Sequence, residues 1–480
     1  MTLIRVRYSP APSGEIHVGN ARTALFNWLF ARHVGGVFVL RIEDTNREKS
    51  TEAAIAGVQD TLRWLGMDWD EGPVLQSGLA ARHLEAVEQL LADGRAYRCW
   101  CTEAELRERN EAEKEAGRPP GYDGHCRELD DEHVAAYEAE GRTSVVRFRT
   151  PDEGVSRFTD VVRGEVSVEW STIRDFVILR SDGSPLFFLA NAVDDLDMGI
   201  THVIRGEDLI DTTHRVLALR DALGGGPPPV YAHLPLVLAA DRAKLSKRHG
   251  ADAVEDFRSL GYLPEAIVNY LALLGWSPGE SAEELLSLDE LVAAFDLDRV
   301  TNSAAVFDQK KLDWVNGEWM RRLATSDLAS RIEPAVRAAA GERFDADVFA
   351  HAVAVGQERS STLVQLTDQM DFLFVGDGAF AIDDEAWARL EKVERVGEVL
   401  DTAIAHVEAC EWSADALNFV DVLKNLGVKP GKAMVAIYVA VEGRAQGLPA
   451  FDAIWMLGRE RALLRLRAAR ERLGAASRAT

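Results

Sequence analysis

Residues 3–42 read LIRVRYSPAPSGEIHVGNARTALFNWLFARHVGGVFVLRI, and the succession of patterns in this stretch decides the fold. Residues 3–8 alternate apolar and basic side chains, as a half-buried strand does. A turn follows through SPAPSG at 9–14. Residues 21–33 then carry apolar side chains at helical spacing until Gly35 and Gly36 stop the helix. Residues 37–42 are a buried strand. A helix between two apolar strands implies a parallel sheet with a right-handed crossover, and the helical run at 51–65 continues the same logic.

The whole chain has 480 residues, too many for one ordinary core, so two to four domains are expected. The start of the sequence lacks a long apolar signal region, and no stretch has the length of apolar residues that a membrane span needs. A cytoplasmic protein is expected, without a membrane partner. The formal charge of −24 excludes indiscriminate nucleic-acid binding, since Lys and Arg must supply phosphate attraction. No DNA partner is expected, and any RNA contact must be local. One basic stretch qualifies, from Gly458 onward, where Arg459, Arg461, Arg465, Arg467, Arg470, Arg472 and Arg478 face only Glu460 and Glu471. By itself it reads as a solvated helix.

Character changes along the chain. From Cys99 the sequence turns charged and is punctuated by Pro and Gly, with a polar helix near 102–117 and strands at VVRFRT and VSVEW, as an insertion into the first domain would look. Residues 176–179, 186–190, 202–204 and 234–240 read as returning strands. Beyond Asp252 nearly every segment is helical by period. The expected partition is 1–98 and 188–250 for the two halves of an α/β domain, 99–187 for the insertion, 251–322 for a helical connector and 323–480 for a helical terminal region.

Two segments carry chemistry. His17 and Gly19 fall just after the first strand at the mouth of a helix, whose free N–H groups and positive dipole end suit a phosphate-bearing ligand. Gly19 leaves the backbone bare, and Asn20 is expected to cap the helix. In DRAKLSKRHG, Lys244, Lys247 and Arg248 crowd a loop after an apolar strand, where ammonium groups can close over a triphosphate. In isolation each has a plainer reading, as a capping histidine and a solvated basic loop. Together, an HxGx near the start and a KLSKR more than 200 residues later form a pair.

That pair resembles the signature of class I aminoacyl-tRNA synthetases, and the chain resembles bacterial glutamyl-tRNA synthetases along nearly its whole length. The similar segments include ARTALFNWLFARHVGGVFVLRIEDTN at 21–46, LANAVDDLDMGITHVIRGED at 189–208, KLSKRHGA at 244–251, VFDQKKLDWVNGEWM at 306–320 and GVKPGKAM at 427–434. The resemblance implies a Rossmann-type α/β catalytic domain with an α+β insertion and an all-helical C-terminal anticodon-binding region. It implies activation of L-glutamate by ATP with Mg2+ and transfer to tRNA(Glu). His17, Gly19, Asn20, Glu207, Asp208, Lys244, Ser246 and Lys247 then serve ATP, with His17, Gly19, Lys244 and Lys247 as the catalytic set. Arg7 and Arg205 pair with the glutamate side-chain carboxylate, which a guanidinium fork fits. Glu43 takes the α-amino group and Asn191 adds a neutral hydrogen bond. A catalytically weakened or altered-specificity paralogue that only binds tRNA is the alternative.

The chain departs from the family at two places. Ala11 stands where the family has a serine in its APSPTG run, and Phe187 stands where a tyrosine is usual. Each change removes one hydrogen-bonding group, worth ~1 kcal/mol, so weaker glutamate binding is expected. Cys99, Cys101 and Cys126 resemble the zinc knuckle of some relatives, with Zn2+ as the implied metal. Glu128 replaces the usual fourth ligand, a histidine, which leaves Tyr122, His125 or Glu128; Tyr122 is the preferred candidate. Arg359 lies near where relatives read the last anticodon base, and the Arg-rich stretch after Gly458 gains meaning as a tRNA-facing surface. A monomer is expected.

Overall fold

The computed structural model describes residues 3–12, 14–46, 50–117, 121–243, 245, 248, 252–279, 283–413 and 416–479. Contacts divide the chain into two units, Met1–Phe257 with Ile267–Gln309, and Arg258–Ala266 with Lys310–Thr480.

In the first unit the opening stretch forms the strand Arg5–Tyr8, the helix Val18–Val34 and the strand Val37–Ile42. The strands are parallel, with Arg5 opposite Val37 and Tyr8 opposite Leu40. The helix ends at Gly35 because φ there is 64°, a left-handed value that favours glycine. Gly36 admits the Ile4 carbonyl, to which an added Cβ would come within 2.7 Å. Ala21, Ala24, Leu25, Phe26 and Leu29 are fully buried on the helix, and each of the larger ones contributes about 2 kcal/mol by leaving water.

Glu71–Leu75 pairs with Val37–Ile42 on the far side, giving a three-stranded parallel sheet. A second sheet runs Gly164–Glu169, Val155–Asp160, Val230–Leu234, His202–Gly206. The two sheets are stitched where Arg5 meets Thr201: the Thr201 amide donates to the Arg5 carbonyl at 3.0 Å, and the Arg5 amide donates to Thr201 Oγ1 at 2.8 Å. From this seam the chain first builds outward through Val37–Ile42 and Glu71–Leu75, then returns to build the other way through His202–Gly206 and Val230–Leu234. Such a reversal is a topological switch point, where the crevice beyond the strand C-termini receives ligands.

Three sequence expectations change. Residues 186–190 are not a strand; they open the helix Phe187–Asp197, since a short apolar run does not separate strand from buried helix. The strand expected at 234–240 lies earlier, at Val230–Leu234, because Pro235 has no N–H to continue a ladder. Val237–Leu238 follows and pairs with Ala305–Val306 instead. The strands Val155–Asp160 and Gly164–Glu169, inside the span 99–187, hydrogen-bond into the sheet of His202–Gly206. The rest of that span supplies an antiparallel sheet of Ala96–Cys99, Val145–Phe148 and Phe176–Leu179.

The second unit is helical. Thr325–Ala340, Ala346–Gln357 and Leu363–Phe374 pack on one another, and the last helix, Arg459–Ala479, packs on Val396–Ala409 and Pro430–Glu442. Three of its arginines, Arg459, Arg461 and Arg465, face inward rather than toward a tRNA, whereas Arg467 and Arg472 are exposed. Arg459 donates to the carbonyls of Val407, Glu408 and Cys410 at 2.7–2.8 Å. Arg461 donates to Leu373 and Val375, and the buried Arg465 to Val441 and Phe372. These are the last carbonyls of three helices, which have no partner within their own helix and carry the negative dipole end. Arg467 and Arg470 pair with Glu408 and Asp401. Among the described residues no helix is long and apolar enough to cross a membrane.

Candidate functional site

Arg7 lies one residue before the end of one strand at the switch point and Arg205 one before the end of the other, and both line a cavity of about 730 Å³. Ala11, His17, Gly19, Asn20, Glu43, Phe187, Asn191 and Asp208 share its wall. Residues expected from sequence to serve an amino acid and a nucleotide are therefore brought to one place.

Arg7 is held from behind. Its Nε donates to Asp195 Oδ1 at 3.1 Å, and Arg41 Nη1 donates to the same oxygen at 2.8 Å. Arg41 is fully buried, with Asp194 at 3.7 Å and Glu43 at 3.9 Å. Asp194 in turn accepts from Gln76 and pairs with His83 Nε2 at 2.7 Å. Burial opposes charge on Asp195, but Arg7 and Arg41 together outweigh it and hold its pKa below the usual carboxylate value. For Glu43 burial wins over Arg41 and Arg7, and its pKa is raised. Glu43 also lines the cavity, where its carboxyl group can receive an incoming ammonium group. The Nη atoms of Arg7 have no partner among the described residues, so the open end of the fork meets the cavity. Asn191 is buried, and its Oδ1 is without a partner.

Arg205 is anchored differently. Nε donates to His233 Nε2 at 3.1 Å and Nη2 to Thr213 Oγ1 at 2.7 Å, while Nη1 has no partner among the described residues. Among the described residues no carboxylate contacts it; burial, followed by Arg7, lowers its pKa to about 10, while Tyr231, Asp195 and Glu43 pull the other way from a longer range. The charge persists at neutral pH with no counter-ion in contact among the described residues.

The nucleotide side is built on the helix start. Val18–Val34 has His17 at its N-cap position without a side-chain cap. Asn20 is therefore not the cap; it sits inside the first turn, on the cavity wall. The Val18 amide donates to the Asp252 carbonyl, whereas those of Gly19 and Asn20 have no acceptor among the described residues. His17 Nδ1 lies 3.4 Å from Asp252 Oδ2, and the Val254 amide donates to Ile16, so the segment after the lysine loop is tied to the histidine segment. Lys244, Ser246 and Lys247 lie outside the described residues; Leu245 and Arg248 line the cavity. Glu207 does not line it. Its carboxylate accepts from the Leu236 amide at 2.8 Å and pairs with Arg163.

Away from the cavity, the sulfurs of Cys99, Cys101 and Cys126 lie within 4.8 Å of one another, close to the edges of about 3.8 Å in a tetrahedral zinc–thiolate site. Cys99 and Cys126 are buried. The Tyr122 hydroxyl is 3.5 Å from Cys99 Sγ. Glu128 instead pairs with Arg149, and His125 bonds the Tyr137 hydroxyl. In the second unit Arg359 is exposed, with Nη1 3.5 Å from the Gly447 carbonyl.

Sequence reasoning passed over Arg41, Asp160, Asp195, His233 and Asp252. The only local signal was a polar or charged side chain inside an apolar run, as in VFVLRI and VYAHLPL.

Residues 3–314 match the family described as tRNA synthetases class I (E and Q), catalytic domain, and residues 327–470 match an anticodon binding domain. A glutamate–tRNA ligase of Streptomyces griseus is 44% identical, across 98% of this chain and 96% of that relative. Glutamate–tRNA ligase 2 of Thermoanaerobacter pseudethanolicus is 40% identical, across 97% and 98%. Among solved structures, a glutamate tRNA ligase from Elizabethkingia meningosepticum in complex with its amino acid superposes with a TM-score of 0.84 at 28% identity, covering 98% of this chain and all of that one.

Proposed function

The chain belongs to the glutamate–tRNA ligases, class I aminoacyl-tRNA synthetases, and on that premise we propose how its cavity activates glutamate with ATP and passes it to tRNA(Glu). One observation carries the assignment of residues: two buried guanidiniums open toward a single cavity at the switch point, beside a helix start with free amides.

The Nη atoms of Arg7 and Nη1 of Arg205 grip the side-chain carboxylate of L-glutamate. Glu43 takes its ammonium group, and Asn191 adds a hydrogen bond. Ala11 and Phe187 contribute shape without hydroxyls. ATP lies with its phosphates against His17, Gly19 and Asn20, and Asp208 borders it. Lys244, Ser246 and Lys247 serve the phosphates. Asp208 and Asp252 offer the hard oxygen donors that Mg2+ takes, and when bound this ion neutralises phosphate charge. The α-carboxylate oxygen of glutamate bonds to the α-phosphorus as the bond to the β-phosphate oxygen breaks, releasing pyrophosphate. The 2′-hydroxyl of the terminal adenosine then attacks the acyl carbon and AMP leaves. The protein contributes position and charge rather than a nucleophile.

The three cysteines with Tyr122 fit a structural Zn2+, and the engagement of Glu128 and His125 elsewhere favours Tyr122 as the fourth ligand. Arg359 contacts the last anticodon base. The enzyme works as a cytoplasmic monomer. The test is Arg7→Ala, assayed by charging of tRNA(Glu): its KM for glutamate rises more than tenfold while its KM for ATP stays put. A change confined to ATP would overturn the assignment.

A further inference from the structure

Arg7 and Arg205 are held by opposite kinds of anchor, and the difference has a chemical meaning. Behind Arg7 stands a carboxylate, Asp195, already shared with Arg41. Behind Arg205 stands an imidazole. His233 is fully buried in the strand Val230–Leu234, its ring stacked at 5.9 Å and 7° on Tyr231. Its Nδ1 is 2.6 Å from Asp160 Oδ2, and its Nε2 receives Arg205 Nε at 3.1 Å. Asp160 also accepts the backbone amides of Val162, Arg163 and His233. Surrounded by donors, it is an ionised acceptor.

The proton inventory leaves one arrangement. A carboxylate only accepts, so Nδ1 carries the hydrogen. A guanidinium Nε only donates, so Nε2 must present its lone pair. His233 is therefore the neutral Nδ1–H tautomer, fixed from both sides. Burial, with Arg205 close by, lowers its pKa against the pull of Asp160 and keeps the ring neutral.

We propose that Asp160 and His233 form a positioning couple that holds Arg205 through a neutral acceptor, leaving its full positive charge for the side-chain carboxylate of the amino acid. A carboxylate anchor in the same place would satisfy the geometry but cancel the charge. The cavity therefore has one arginine in contact with a carboxylate and one that, among the described residues, contacts none, and the second is the element that distinguishes an anionic side chain from its neutral amide. Thr213 completes the hold, with Oγ1 accepting from Arg205 Nη2 and lying 3.1 Å from His233 Nε2.

This inference rests on the reading of Arg205 as a glutamate contact, and the experiment separates the two. KM values for glutamate and for ATP are measured in tRNA charging for Arg205→Ala, His233→Leu, His233→Gln and Asp160→Asn, with thermal midpoints recorded for each. His233→Leu removes the acceptor and raises the glutamate KM about tenfold, the effect of one lost bond to a charged group. Its KM for ATP does not change. His233→Gln offers an amide oxygen to Arg205 and an amide N–H to Asp160, and recovers most of the loss. Asp160→Asn, the fallback if His233→Leu does not fold, shifts the glutamate KM in the same direction. If Arg205→Ala leaves the glutamate KM unchanged, the underlying reading fails. If Arg205→Ala raises it but the His233 and Asp160 variants do not, or raise both KM values alike, or if a well-folded His233→Gln recovers nothing, the couple is refuted.

Discussion

Replacing Glu442 by glutamine should stabilise the second unit at high pH and leave it unchanged at low pH. Glu442 closes the helix Pro430–Glu442 and is 2% exposed. One carboxyl oxygen accepts the Leu448 amide at 3.1 Å, and the other has no partner. Burial pushes its pKa up from 4.5 to about 8, against the pull of Arg444. The folded state therefore keeps a proton that the unfolded chain releases above pH 4.5, so stability is fully present below that value and falls as pH rises to about 8. Three and a half powers of ten correspond to at most ~5 kcal/mol, and relaxation around the charge recovers part of it, leaving about 3 kcal/mol. Glutamine keeps an acceptor for Leu448 without ionising. Guanidinium denaturation should show equal midpoints for the two proteins near pH 4 and a gain of about 3 kcal/mol for Glu442→Gln near pH 9. A gain that is the same at both pH values, or absent at the higher one, would rule out ionisation of buried Glu442 as the cause.

Other outcomes follow from the same geometry. Asp195→Asn leaves Arg7 and Arg41 without their shared counter-ion; the loss of a buried partner costs about 3–5 kcal/mol, and the glutamate KM rises in charging assays while the ATP KM holds. Protein purified without chelator should carry roughly one zinc per chain by elemental analysis, reduced in Tyr122→Phe and near zero in Cys126→Ser; wild-type protein free of zinc would remove the metal. Arg465→Met strips two helix-end carbonyls of their donor and lowers the stability of the second unit by about 3 kcal/mol, with tRNA affinity unchanged at a temperature where the unit stays folded; a drop in affinity there would restore the tRNA-facing reading.

What the sequence disclosed follows range. The strand, turn and helix of residues 3–42 are local patterns, so the fold and the positions of His17 and Gly19 were legible, while the role of Arg7 came through resemblance. So did those of Arg205, Glu43 and Asn191. The supports behind them were hidden because they join residues far apart: Arg7 and Asp195 are 188 positions apart, His233 and Asp160 are 73. A buried His or Asp reads as a defect in an apolar run until its partner is known. The inward turn of Arg459, Arg461 and Arg465 was hidden for the same reason, since helix-end carbonyls, which carry no side-chain signature, take their donors. The placement of residues 186–190 failed because an apolar run of that length has no period.

The most direct test is charging of purified tRNA(Glu) by the wild-type enzyme with radiolabelled glutamate, run beside labelled glutamine at equal concentration. ATP-dependent charging with glutamate and none with glutamine is expected, as is loss of that preference in Arg205→Ala. Charging with glutamine, or a preference untouched by Arg205→Ala, would contradict that expectation.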